Sequence, residues 1–177
     1  MNKLYPEIEA FIKTLPGNTP LTSKRQKMLQ EVSAFIHKKQ QSDDVAELVF
    51  ICTHNSRRSH FAQLWAAIAA HYHGLENVLT FSGGTEATAF HPNAVAAMER
   101  AGCKVQKGAG DNPVYLVKFS DTHSGCQAFS KKYGDKYNPK NKFCAVMTCS
   151  DADEACPVVL GMEKRVSLTY DDPKISD

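Results

Sequence analysis

Apolar residues fall in two rhythms along this chain. Before Asp44 they recur at helical spacing. Tyr5 to Leu15 reads as a short helix closed by Pro16-Gly17. Met28, Leu29, Val32, Phe35 and Ile36 mark one face of a longer helix, expected to be buried. Ser23 with Gln26 three residues on resembles a capping box for it, and the charged stretch Lys38 to Asp44 ends it. After Asp44, short apolar runs alternate with helical segments. Leu48 to Ile51 and Val78 to Phe81 read as buried strands, and Phe143 to Thr148 is the clearest later one. Val114 to Val117 and Arg165 to Thr169 complete the set. Ser59 opens a helix with Phe61, Leu64, Trp65, Ile68 and Ala69 on one face. Pro92 to Ala101 forms another, with proline at its start and Gly102 at its end. Ser120 to Lys142 is polar and shows no clear period.

Strands alternating with helices predict right-handed crossovers and an α/β fold. The expected architecture is a small parallel sheet of about four strands with helices on both faces, plus an N-terminal helical extension. The expected division is 1–45 for the extension and 46–177 for the α/β domain.

Composition narrows the function. The 177 residues suit one ordinary domain, and 42% of them are hydrophobic. The net charge of +2, from 21 basic and 19 acidic residues, argues against a nucleic-acid arm or a polybasic membrane patch. Any preference for anions must come from a local site. No run of about 18 apolar residues spans a membrane, and Met1 to Glu9 does not read as a secretory signal. The expectation is a cytoplasmic protein with no nucleic-acid or membrane partner. Six cysteines in a reducing cytosol are free, metal-bound or catalytic. Cys103 and Cys144 sit in apolar contexts and read as core residues.

The segment Cys52-Thr53-His54-Asn55-Ser56-Arg57-Arg58-Ser59 lies between a predicted strand and a predicted helix. There, successive backbone N–H groups and the free N–H groups of the helix start converge on one spot, an oxyanion cradle. Cys52 at the strand's end faces the same electropositive spot, which favours its thiolate and makes it a nucleophile. Arg58 can fork two N–H bonds onto the oxyanion. Asn55 can lock the loop, and Ser59 can stabilise the sulfur as a leaving group. The plainer alternative is a buried strand-end cysteine near an unrelated arginine. The strand before and the helix after favour the cradle.

The run Val49 to Ser59 resembles the signature of the low-molecular-weight protein tyrosine phosphatase fold, a family that includes the thioredoxin-coupled arsenate reductases. The resemblance covers residues 46 to 173 in order, with an insertion near Ser120 to Lys142, and does not reach the first 45. It implies Cys52 as nucleophile, Arg58 and the loop amides of Thr53 to Ser59 as the oxyanion site, and Asp172 of Asp171-Asp172-Pro173 as general acid. Taken alone, Asp-Pro is an ordinary turn pair. It also gives Ser82 of Ser82-Gly83-Gly84 a supporting place beside Asn55. A strand-end turn is the bland alternative there, and His54, His60 and His91 are assigned no catalytic role.

The segment Cys149 to Pro157 looks like the redox segment of the arsenate reductases. The resemblance implies a relay. Cys149 attacks Cys52 to release arsenite, and Cys156 then takes over the disulfide for a reductant such as thioredoxin. Two cysteines seven positions apart on a helix lie about 10.5 Å apart along its axis. A disulfide needs Cα atoms within roughly 7 Å. A helical segment must therefore loop out, and Pro157 argues against a helix through Cys156. Otherwise these are two unrelated thiols, or half a zinc site with Cys126, Cys144 and His123 nearby, though the spacing fits no Cys-x2-Cys knuckle. No metal and no cofactor are expected.

Several residues depart from the family pattern. Arg57 stands where the phosphatases often place a second cysteine, which points to Cys149 as the resolving thiol. Gln63 stands where several arsenate reductases carry a glutamate tied to potassium. Lys174 follows Pro173 where the phosphatases place aromatic residues, which weakens the phosphatase reading, and Tyr170 precedes the acid. The resembled fold continues into a last helix covering the sheet; here either the chain is cut short or the N-terminal helices cover it. The expectation is an arsenate reductase acting on arsenate or a phosphate-type oxyanion, with thioredoxin or a similar reductant. The alternatives are a low-molecular-weight protein tyrosine phosphatase and a non-catalytic phosphoprotein-binding or redox-sensing module.

Overall fold

The structure, a computed structural model, describes residues 2–15, 20–156 and 158–176. The expected stop at Pro16-Gly17 and the expected effect of Pro157 lie outside the described residues. The elements run α1 (Pro6–Thr14), α2 (Ser23–Gln41), β1 (Ala46–Cys52), α3 (Arg58–Tyr72), β2 (Val78–Gly84), α4 (Pro92–Arg100), β3 (Lys104–Lys107), β4 (Tyr115–Lys118), β5 (Cys126–Ala128), β6 (Phe143–Met147), α5 (Ser150–Ala155) and β7 (Met162–Ser167), then a 3₁₀ turn at Pro173–Ser176. Among the described residues no helix is long and apolar enough to cross a membrane.

The main sheet has four strands in the order β2-β1-β6-β7, all parallel. Its side chains alternate between faces, as the pleat requires. Val49, Ile51, Ala145 and Met147 pack with Ala152 of α5 on one face. Leu48, Phe50, Cys144 and Val146 pack with Phe35 of α2 and Ala62 and Ala66 of α3 on the other. Helices therefore cover both faces of a parallel sheet, as the alternating pattern predicts. The cap of α2 falls one residue earlier than expected: the Thr22 hydroxyl accepts from the Arg25 N–H at 3.2 Å. The stripe on α2 is narrower than expected. Phe35 is buried, but Leu29 is 39% exposed; α2 meets the sheet chiefly along β1 and β7.

The strand expected at Val114–Val117 forms as β4 but belongs to a different sheet. It is the centre of a three-stranded sheet ordered β3-β4-β5, antiparallel throughout. Tyr115 and Val117 point inward while Leu116 and Lys118 are half-exposed, the one-faced pattern antiparallel sheets use. The buried face packs on Leu64 and Ile68 of α3, Met98 of α4 and Ile8 of α1, a second core beside the parallel sheet.

The polar stretch without a period supplies β5 and then a segment docked on the end of β2. The Gly84 N–H donates to Lys131 O at 2.9 Å, and the Tyr133 N–H donates to Gly84 O at 2.9 Å. Only glycine allows this approach, since a Cβ on Gly83 would lie 2.4 Å from the Tyr133 Cα.

Candidate active site

β1 ends at Cys52 and α3 begins at Arg58, so the loop between them sits at the carboxyl edge of the sheet. Its carbonyls are tied outward. Cys52 O accepts from the Thr85 N–H at 3.1 Å, Thr53 O from the Glu86 N–H at 2.8 Å and Ser56 O from the His91 N–H at 3.0 Å. His54 O accepts from the Thr88 and Ser130 hydroxyls at 3.1 and 3.0 Å. In a trans peptide the following N–H points opposite to the carbonyl. The amides of Thr53, His54, Asn55 and Arg57 therefore face away from those bonds, beside the first turn of α3, the arrangement an anion cradle requires.

Cys52 is 4% exposed, with its Sγ 3.0 Å from Ser59 Oγ. Asn55 adopts φ +45°, a left-handed conformation that asparagine tolerates. Its Nδ2 donates to Ser59 Oγ at 2.8 Å, and its Oδ1 accepts from the Lys131 N–H at 2.9 Å. Ser56 Oγ donates to Ala89 O at 2.8 Å. His54 lies at the rim, Nε2 3.7 Å from Glu86 Oε2, and Arg57 is the N-cap residue of α3. Arg58 Nη2 lies 3.3 Å from Asp172 Oδ2, and its Nη1 donates to Tyr170 O at 3.1 Å. The Lys174 N–H holds the other Asp172 oxygen at 3.1 Å.

β6 runs beside β1, so Cys149 just past its end lies close to the loop: its Sγ is 3.4 Å from Thr53 Oγ1. Cys149 is fully buried. It caps α5, its sulfur accepting from the Ala152 N–H at 3.4 Å. Cys156 stands at the other end of α5, half-buried. Ser82 is buried, but its hydroxyl lies 3.2 Å from His60 Nδ1, while the side chain of Asn55 is bonded to Ser59 and Lys131.

Charge behind the loop is unusual. Burial, with the Lys131 charge, pushes His60 down to about 3. Burial pushes Lys131 down to about 8, opposed by Asp135. Gln63 fills a buried place, its Nε2 donating to Thr80 O at 3.3 Å and Gln127 O at 3.2 Å, and so ties the two sheets together.

No protein-family model matches the chain. Curated relatives do. An arsenate reductase of Bacillus licheniformis is 30% identical over 126 residues, 71% of this chain and 73% of that protein. One of Brevibacillus brevis is 32% identical over 127 residues, 71% of this chain and 75% of that protein. The chain belongs to the arsenate reductase family. A Staphylococcus aureus arsenate reductase is 30% identical over 127 residues, 71% of this chain and 77% of that protein. A solved Corynebacterium glutamicum thioredoxin-dependent arsenate reductase matches over 93% of this chain and 69% of its own, at 18% identity and a TM-score of 0.40.

In this arsenate reductase family member, the structure brings Cys52, Arg58, Asp172 and Cys149 to one end of the sheet, with Cys156 across α5. Two supports escaped the sequence. Lys131 and Ser130 lie in the stretch without a period, so nothing local marked them. Gly84 did carry a signal, since paired glycines at a strand end mark close backbone approach. A Cβ there would lie 2.6 Å from Thr53 O and 2.8 Å from Asn55 N.

Proposed function

We propose that this enzyme reduces arsenate to arsenite with the residues gathered around Cys52. The loop amides of Thr53 to Ser59 and the Arg58 guanidinium hold the oxyanion. The Cys52 sulfur attacks arsenic, and Asp172 delivers a proton to the departing oxygen. Cys149 then attacks the Cys52 sulfur. The S–As pair stays with arsenic, which leaves as As(III), and a Cys52–Cys149 disulfide supplies the two electrons. Cys156 displaces Cys52 and carries the disulfide outward to a thioredoxin-type reductant. The observation that carries this reading is Cys149 buried at the end of β6, its sulfur against Thr53 of the loop. A phosphatase uses no such second thiol, and the curated relatives are arsenate reductases, so the phosphatase reading is not favoured. Six unpaired cysteines suit a reducing compartment, and we place the protein in the cytoplasm.

The test is arsenite production with and without thioredoxin, beside aryl phosphate hydrolysis. Wild type is expected to release about one arsenite per chain without the reductant and to turn over repeatedly only with it present. Cys149→Ser is expected to trap arsenic on Cys52, and Cys156→Ser to stop after one turnover as the Cys52–Cys149 disulfide, both visible by mass spectrometry. Absence of arsenite from the wild type with thioredoxin present, alongside phosphotyrosine peptide hydrolysis, would replace this reading with the phosphatase one.

A further inference from the structure

α5 has six residues, too short to stand by itself in water. Ala152 packs it on the sheet, and one guanidinium on β7 grips its backbone and a side chain. Arg165 Nη2 donates to Asp153 Oδ1 at 2.6 Å, to Asp153 O at 2.7 Å and to Cys156 O at 3.3 Å. Its Nη1 reaches Ser167 Oγ at 3.1 Å, and that hydroxyl donates to Asp153 Oδ1 at 2.6 Å. The pair is three-quarters buried, with side-chain exposures of 22% and 25%, where charge-assisted bonds are screened less than at the surface. Arg165 and Ser167 stand on β7, paired along its length with β6, so the anchor is the sheet itself.

The cysteines at the ends of α5 cannot meet while it is helical. Seven helical steps from Cys149 to Cys156 would separate their Cα atoms by about 10.5 Å along the axis, and a disulfide needs roughly 7 Å or less. Unwinding α5 carries away the Asp153 and Cys156 carbonyls that Arg165 grips. The bonds to Arg165 thus exist in the dithiol form and must be broken to reach the disulfide.

We propose that Arg165 and Asp153 form a latch that sets the poise of the Cys149–Cys156 pair, with Arg165 a positioning residue for the second exchange. The proposal rests on the relay above. In that exchange Cys156 loses its proton to solvent, and its sulfur bonds to Cys149. The Cys52–Cys149 bond breaks, and Cys52 leaves with the electron pair. No further oxidant is consumed. The latch opposes this step until the segment lets go, which keeps Cys156 from oxidising out of turn and returns α5 to its helix after reduction.

The test is made on the full chain carrying Cys52→Ser, equilibrated in mixtures of reduced and oxidised dithiothreitol. Alkylation and peptide mass mapping read the Cys149–Cys156 disulfide. With Arg165→Met the equilibrium is expected to move toward the disulfide by about tenfold, a potential roughly 30 mV more negative. Asp153→Asn is expected to move it the same way by less, and the double variant to move it no further than Arg165→Met. Amide exchange in 150–156 is expected to quicken in Arg165→Met with urea unfolding of the rest little changed. A couple within twofold of the parent in both single variants would overturn the latch and leave the relay standing. If no Cys149–Cys156 disulfide forms even in the most oxidising mixture, the relay itself fails, and the latch with it.

Discussion

Asn55 has three tasks at once. Its backbone turns the loop at φ +45°, its Nδ2 fixes Ser59, and its Oδ1 satisfies the buried Lys131 N–H. Asn55→Ala keeps none of the side-chain bonds and adds left-handed strain. We expect a loss of about 2–4 kcal/mol in urea unfolding, with Asn55→Gly recovering only the strain. His60 makes a separate prediction. Burial holds it at about 3 against an ordinary 6.5, so on acidification the unfolded chain takes up the proton first. Stability carried by the neutral ring is complete above pH 6.5 and is lost as pH falls through 3. His60→Gln should flatten that limb. The difference between the two proteins' unfolding free energies should change by on the order of a few kcal/mol across the window. A parallel offset at every pH would contradict it.

Between elements, the end of β2 packs tightly against the loop and the segment after β5. Gly84 has no space for a side chain: a Cβ would meet Glu86 O, Thr53 O and Asn55 N, all below 3 Å. Gly84→Ala should displace the loop at Thr53 and Asn55. We expect arsenate turnover to fall at least tenfold with urea stability lowered by roughly 1–3 kcal/mol; unchanged kinetics would show that the loop does not need this contact. A similar close approach joins α1 to the turn after α4. A Cβ on Gly102, at φ +100°, would lie 2.7 Å from Ile8 N. α1 is therefore seated against the backbone, with Ile8 fully buried beneath it.

That seating decides what truncation does. Leu4, Tyr5 and Ile8 belong to the core under the antiparallel sheet, and Phe35 to the core under the parallel one. A protein starting at Asp44 exposes both. We expect it to aggregate, or to lose its cooperative unfolding transition, by size-exclusion chromatography and circular dichroism. A monomer with the parent's melting transition would show residues 1–43 to be dispensable. The strand–loop–helix order around Cys52 was legible in the amino-acid order because its parts are contiguous: a strand, a turn with Asn55, and a helix start from Cys52 to Ser59. The Cys149–Cys156 spacing was legible for the same reason. Strand character at Val114–Val117 was local too, but its partner was not, and pairing placed it in the antiparallel sheet. Lys131 meets Asn55 across 76 positions, and Arg165 of β7 meets Asp153 of α5 across 12. Bonds of that kind have no periodicity to announce them. They exist only once packing has brought the two stretches together, so the support of the loop and the latch on α5 were decided by the tertiary structure alone.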